Sequence, residues 1–352
     1  MPDTTIKHII AISSCKGGVG KSTIAAHLAC ALAQQGKGVG LLDCDIHGPS
    51  IPSLFNLQNT RINVDEFKQF IPVEKHNLKI MSFGFLLGDA PAVMRGPIIT
   101  RYVQQLLINT AWGKLDYLFI DMPPGTGDVQ LTITQTVRLT GAVIVTTPQT
   151  LSLIDVARGI LMFEKVSVPI LGIIENMSYF LCDECDKKHH IFGKSEGKLK
   201  ERFGIETLAE LPLLPQMILP IDQPLENTYI HSAAQKIVQS IDKQSTEKNA
   251  LPKIEFNEKE IIFNWNDGII QKINNRELRL NCRCALCVNE ITGASLLDEK
   301  RIRSDIAPKE ITPLGNYAVG ISWNDGHSSG IYPYELIKKM EKDRRVITSE
   351  TK

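Results

Sequence analysis

The stretch SSCKGGVGKST, residues 13–23, constrains this chain more than any other. It follows a short apolar run, KHIIAISS (7–14), and leads into STIAAHLACALAQQG (22–36), whose apolar residues recur at helical spacing and stop at Gly36. A strand, a glycine-rich turn and a helix N-terminus in that order make a phosphate cradle. Glycines let successive N–H groups turn inward, and the helix end adds partial positive charge. The spacing gives Lys21 the β- and γ-phosphates and Ser22 the Mg²⁺ ion, with Thr23 nearer the α-phosphate. Gly17, Gly18, Val19 and Gly20 form the cradle itself. The strict G-x-x-x-x-G-K-[ST] pattern departs at one position, where Cys15 replaces the first glycine.

Further apolar runs predict buried strands at GVGLLDCD (38–45), YLFIDMP (117–123), GAVIVTTP (141–148) and VPILGIIENM (168–177), with helical patterns between them. Strands alternating with helices imply an α/β fold, a mostly parallel sheet with helices on both faces. In such sheets ligands sit at the carboxyl ends of strands. Asp45, at the end of the second run, is placed to orient water at the γ-phosphate. Asp121 is placed to hold Mg²⁺ through water, and Gly125-Thr126-Gly127-Asp128 to sense the γ-phosphate. Asp43 reads equally as a structural carboxylate. Lys16 reads either as a charge-neutralising finger or as an exposed loop lysine.

At 352 residues the chain has room for about two domains. The 39 basic residues balance 39 acidic ones, so no global field favours nucleic acid or an anionic membrane. The opening MPDTTIKHIIAISS lacks a basic n-region, and no run approaches the roughly 20 apolar residues of a membrane span. The expectation is a cytoplasmic protein without nucleic-acid or membrane partners. Clustered thiols in that setting mean metal or redox chemistry. The domain reading is 1–243 for the α/β unit with an insert at 180–192, 244–252 for a linker, 253–341 for a smaller β-rich domain and 342–352 for a tail. Two W-N-D-G turns, in EIIFNWNDGIIQKI (260–273) and YAVGISWNDGHSSGIY (317–332), predict hairpins in that second domain.

The insert YFLCDECDKKHHIFG (179–193) carries Cys182 and Cys185 as a bare C-x-x-C. Two thiols are too few ligands for a metal and too isolated for a disulfide framework. His189 and His190 would complete a zinc set, though they follow closely for a finger. A thioredoxin-like redox pair is the other alternative, without the helix start such a pair needs.

Taken together, CKGGVGKST, DCDIHGPS, MRGPIITR, DMPPGTGD and ENMSYFLCDEC resemble the Mrp/ApbC family of P-loop ATPases, within the MinD/ParA-type deviant Walker A group. The likeness covers roughly residues 6–245. It implies a slow ATP-hydrolysing homodimer that carries an iron–sulfur cluster between scaffold proteins and apo-protein targets. Lys16 would reach the partner's nucleotide, and Asn176 would help hold adenine. Cys182 and Cys185 of two subunits would bridge one [4Fe–4S] cluster. The alternatives are a ParA/MinD-like positioning ATPase, a reductase resembling nitrogenase iron protein, and a zinc-stabilised adaptor. LRLNCRCALCVNEITG (278–293) with WNDGHSSGIYPYELI (323–337) resembles the N-terminal domain of γ-butyrobetaine hydroxylase. That likeness implies a closed zinc site at Cys282, Cys284, Cys287 and His327, with a second cluster or transfer relay as its rival.

Overall fold

The computed structural model of the protein describes residues 5–46, 48–87, 96–125, 127–148, 152–182, 184–185, 187–193, 198–213, 217, 220–222, 228–247, 251–284, 286–288, 294–299, 302–314 and 318–340. The chain divides into two compact units, one of residues up to 195 with 207–242, the other of 196–206 with 243 onward.

The first unit runs β1 (Thr5–Ser13), α1 (Lys21–Gln34), β2 (Val39–Asp43), α2 (Ile51–Leu54), β3 (Val73–Lys75), β4 (Leu78–Ser82), α3 (Gly84–Leu87) and α4 (Gly96–Ile108). It continues through β5 (Lys114–Asp121), α5 (Asp128–Thr136), β6 (Gly141–Thr146), α6 (Ser152–Lys165), β7 (Ile170–Leu181) and β8 (Lys188–His189). After α7 (Lys198–Phe203), which belongs to the second unit, come β9 (Thr207–Pro212) and α8 (Thr228–Glu247). The sheet order is β3-β4-β2-β5-β1-β6-β7-β8, with β9 also paired to β7. The β2–β4, β2–β5, β1–β5, β1–β6, β6–β7 and β7–β9 pairs are parallel; β3–β4 and β7–β8 are antiparallel.

Every residue of β2 and β6 is buried, as continuous Val/Ile/Leu runs in a covered parallel sheet require. Helix α1 buries 11 of its 14 residues, and its alanines let it approach the sheet closely at little helix-propensity cost. The register aligns the strand ends that matter. Asp43 of β2 and Asp121 of β5 are direct partners, and Ile12 of β1 lies opposite Asp121. One edge of the sheet therefore gathers both carboxylates and the glycine loop.

Two boundaries differ from the sequence expectation. Helix α8 runs to Glu247, into the 244–252 stretch, because no proline or glycine interrupts it before Pro252. The β3–β4 hairpin was not anticipated. Its turn uses His76 and Asn77, both at positive φ (53° and 59°), in place of the Asn-Gly signal that marks such turns.

The second unit holds two antiparallel three-stranded sheets, β10 (Lys253–Phe256), β11 (Glu260–Asn264), β12 (Ile270–Asn274) and β13 (Pro308–Leu314), β14 (Ala318–Trp323), β15 (Gly330–Pro333). Two short helices join them, α9 (Asn275–Leu280) and α10 (Tyr334–Lys339). Asn274 caps α9 by accepting from the Arg276 and Glu277 amides. Phe263, Trp323, Tyr332 and Ile337 form the core with the three cysteines. Helix α7 joins this unit through the Arg283–Glu201 ion pair. The W-N-D-G turns are alike: Trp265 N donates to Ile269 O at 2.9 Å and Trp323 N to His327 O at 2.8 Å. Gly268 and Gly326 take φ of 84° and 88°, open only to residues without a Cβ penalty. No described helix is long and apolar enough to cross a membrane. The 342–352 tail lies outside the described residues.

Candidate functional site

The glycine loop joins β1 to α1. Gly18 and Gly20 both adopt left-handed φ, 80° and 83°, which turns the loop amides toward one side. Val19 is buried, Gly17 and Lys16 are exposed, and Ser22 and Thr23 are half-buried at the helix start. Ser14 Oγ donates to the Lys16 carbonyl at 2.9 Å, and Gly125 N to the Ser14 carbonyl at 3.0 Å. The loop after β5 is thus tied to the glycine loop. Thr126 and the Asp128 side chain lie outside what the structure describes.

Lys21 points into the sheet edge. Its Nζ lies 2.5 Å from Asp121 Oδ1 and 3.4 Å from Ser22 Oγ, with Lys21 6% and Asp121 0% exposed. Asp121 Oδ2 is buried and has no hydrogen-bond partner among the described residues. A buried carboxylate oxygen without a donor, beside a serine at a helix start, is the donor set a Mg²⁺-bound water shell uses. Burial raises the Asp121 pKa even against the Lys21 ammonium, and burial together with neighbouring Asp121 pushes Asp43 up to about 7. Asp43 is saturated: it accepts from Asp45 N at 3.0 Å, Ile51 N at 3.2 Å and Ser82 Oγ at 2.9 Å. It anchors the turn that presents Asp45. Asp45 itself is half-buried and accepts from Gly48 N at 3.3 Å.

Asn176, near the middle of β7, donates from Nδ2 to the Val19 carbonyl at 2.9 Å and so clamps the glycine loop from two strands away in the sheet. A cavity of about 260 Å³ opens beside the loop, walled by residues 15–19, the end of β6, Met177 and Phe192. Gly159 of α6 belongs to the same construction, since a Cβ there would come within 2.9 Å of Cys15 Sγ. Neither Gly159 nor Phe192 stood out in the sequence. Phe192 had a signal, since with Ile191 it makes an apolar pair straight after the polar run 183–190.

The C-x-x-C lies where β7 runs off the sheet. Cys182 is half-buried, Cys185 exposed, and Cys182 N donates to Lys187 O at 3.1 Å to close the hairpin. His190 turns away: its Nδ1 meets the Ser178 carbonyl at 3.2 Å and its ring tilts against Tyr179. Among the described residues Cys182, Cys185, His189 and His190 do not converge into a metal-binding group. The hairpin offers two thiols per chain.

In the second unit the ligand atoms of Cys282, Cys284, Cys287 and His327 all lie within 4.8 Å of one another. His327 Nε2 is 3.2, 3.5 and 3.8 Å from the three sulfurs. A tetrahedral zinc with ordinary Zn–S and Zn–N bonds sets that spacing at about 3.6 Å, so the set fits a single ion. The C-x-C-x₂-C segment supplies three ligands around the end of α9, and the second W-N-D-G turn delivers the histidine. Hydrogen bonding from Cys282 and Cys287 pulls the Cys284 thiol pKa down, while the same contacts raise Cys282. Burial lowers His327, yet its bonds to Cys284 and Cys287 prevail and raise it to about 9. Arg279 Nη1 donates to Cys287 Sγ and Ser329 Oγ to Cys284 Sγ, both at 3.5 Å. Such outer donors orient thiolate ligands and spread their charge.

Residues 5–246 match the ParA model, described as NUBPL iron-transfer P-loop NTPase, and residues 253–338 match the N-terminal γ-butyrobetaine hydroxylase-like model. Over 245 residues the chain is 49% identical to an iron-sulfur cluster carrier protein of Aquifex aeolicus, covering 68% of this chain and 67% of that one. It is 40% identical over 356 residues to the chloroplastic Fe-S cluster assembly factor HCF101 of Arabidopsis thaliana, covering 96% of this chain and 65% of the plant protein. This chain thus spans about two thirds of the length of both relatives. Among solved structures, a nucleotide-binding protein of Archaeoglobus fulgidus in complex with ADP, with cobalt found by PIXE, is 39% identical. It superposes with a TM-score of 0.55 over 66% of this chain and 88% of its own.

Proposed function

The chain belongs to the NUBPL iron-transfer P-loop NTPase family, and from that premise we propose that it is an ATP-hydrolysing carrier that holds a [4Fe–4S] cluster between two copies of itself and passes it to apo-proteins. The observation that carries this reading is the hairpin. It presents Cys182 and Cys185 at the surface with no third ligand among the described residues, so one chain supplies half of a four-thiolate set. Leu181, Ile191 and Phe192 flank the thiols and are 37%, 64% and 46% exposed, an apolar surface that a second copy would cover. An isologous contact there would bring the two thiol pairs together. Thiolates shared between subunits suit cargo that must leave.

The residues of the glycine loop divide the work of hydrolysis. Lys21 would exchange Asp121 for the β- and γ-phosphate oxygens, and Ser22 with Asp121 would hold Mg²⁺, directly and through water. Bound there, Mg²⁺ neutralises charge across the phosphates during transfer. Asp45, held by the turn that Asp43 anchors, would orient the attacking water. Lys16 on the exposed loop would serve the partner's nucleotide. Slow turnover is the expectation from the family likeness. Asn176 would act first as the loop's clamp, with adenine contact as the expectation from the family likeness.

The four-ligand site of the second unit would hold zinc as a structural ion. Its ligands leave no open coordination position, and their spacing suits one ion better than a cluster, whose irons would hold the cysteines apart. Clustered cysteines of this kind suit a reducing compartment, and the cytoplasm is the expectation.

Transfer tests the proposal. Chain loaded anaerobically should restore activity to an apo-enzyme that requires a [4Fe–4S] cluster, in the presence of an iron chelator that blocks free ions. Equal restoration by iron and sulfide alone would contradict a carrier.

A further inference from the structure

We propose that Phe192 is the positioning residue through which a nucleoside di- or triphosphate in the glycine loop changes the exposure of the Cys182/Cys185 thiols. The inference rests on the nucleotide-site reading above but not on the cluster.

One end of the hairpin is bonded to the nucleotide loop and the other lines the cavity beside it. At its base, β7 carries Asn176, bonded to the Val19 carbonyl, and Met177, held at φ 55° and lining the cavity beside the loop. From there the strand runs on to Leu181 and the thiols. The return arm is laced to it by the Phe180–His189 and Leu181–Lys188 pairs and by Lys188 Nζ, 4.5 Å above the Tyr179 ring. The arm then turns, Ile191 N donating to His189 O at 3.2 Å and Gly193 N to His190 O at 3.1 Å. That turn brings Phe192 into the cavity wall with Lys16, Gly17 and Gly18.

The thiols thus sit on a short loop with one root bonded to the nucleotide loop and the other in the wall of the cavity beside it. Polyphosphate cannot share a cavity wall with an aromatic ring without a cost in desolvation, so occupancy favours a different seat for Phe192. A ligand with unequal affinity for two seats shifts the population between them. The laced return arm carries that shift to Cys182 and Cys185. The Asn176 clamp holds the other root, so the displacement falls on the thiol segment.

The test is alkylation of the full-length, cluster-free chain under anaerobic conditions, with saturating ADP or a non-hydrolysable ATP analogue and without either. Peptide mass mapping separates Cys182 and Cys185 from Cys15, which lines the cavity and would be shielded directly. In the wild type, nucleotide should change the Cys185 rate by about fivefold or more, the lower end of ordinary coupling between two sites. Phe192→Ala should reduce that change to less than about twofold at saturating nucleotide, and Phe192→Leu should restore part of it. Ile191→Ala, on the same arm but outside the cavity wall, should keep it. A wild-type rate indifferent to bound nucleotide overturns the proposal, as does a Phe192→Ala response equal to wild type. Loss of the response in Ile191→Ala as well would trace it to a loosened hairpin and also overturn it. Titration with a fluorescent nucleotide runs alongside. No binding by the wild type would remove the nucleotide-site reading, whereas binding with unchanged thiol rates would remove this inference alone.

Discussion

Asn176 and Gly20 are fitted to each other across the nucleotide loop: a Cβ on Gly20 would lie 2.4 Å from Asn176 Nδ2. The amide occupies that space because it is bonded to the Val19 carbonyl at 2.9 Å, while Gly20 at φ 83° starts α1. Loop shape and strand position are therefore a single geometric condition.

Gly20→Ala should break that condition. The left-handed φ alone costs about 1–3 kcal/mol for a residue with a side chain, and the clash displaces the clamp. Calorimetric titration with ADP should show affinity reduced at least about tenfold, equal to 1.4 kcal/mol. Adding Asn176→Ala removes the clash but leaves the strain, so recovery should be partial. Wild-type affinity in Gly20→Ala would contradict the fit.

Lys21→Ala should end ATP turnover and also weaken the fold. It leaves Asp121 buried without its cation, a loss of about 3–5 kcal/mol for a broken buried pair. Asp121→Asn added to it should return much of the stability and none of the activity. Urea unfolding and phosphate release measure the two effects separately. Hydrolysis retained in Lys21→Ala would remove the loop from the chemistry.

His27, buried in α1, sets a pH limit. It is 3% exposed with Nε2 unpartnered among the described residues, and burial lowers its pKa from 6.5 to about 4. Its folded pKa lies below its unfolded one, so the neutral ring's stability is fully present above pH 6.5. That contribution is lost as pH falls from 6.5 toward about 4, by at most about 3 kcal/mol. In His27→Leu, urea midpoints between those values should fall less with acid than in the wild type. Parallel pH profiles would contradict the assignment.

The nucleotide edge was legible because its determinants are local. A strand, Gly18 and Gly20 at positive φ, and Lys21 at a helix start follow from one contiguous stretch. The parallel sheet followed from Val/Ile/Leu runs long enough to be buried on both faces. Contacts between distant segments were not legible. Gly159 against Cys15, Asn176 on Val19 and Phe192 at the cavity each join residues that only the folded chain brings together. The β3–β4 turn escaped because His76-Asn77 takes left-handed angles without a glycine to announce them. Helix α7 escaped the domain reading because it packs on β15 and pairs Glu201 with Arg283, both far away in sequence.

Cys284→Ser should strip the metal from the second unit and lower that unit's melting temperature while sparing nucleotide binding. A domain of this size has a modest core, and a bound ion contributes folding free energy directly. Metal analysis should find a single zinc per wild-type chain and none in the variant. Iron in place of zinc at these ligands would contradict a structural zinc site and favour a relay.

The most direct test of the central claim is anaerobic reconstitution with iron and sulfide, beside a Cys182→Ala/Cys185→Ala variant. Visible absorption, iron, sulfide and molecular mass would be measured together. The bridging account predicts roughly four irons and four sulfides per two chains, a dimer, and loss of both chromophore and iron in the variant. A wild-type chain that stays colourless, or a variant that binds the same cluster, would contradict it.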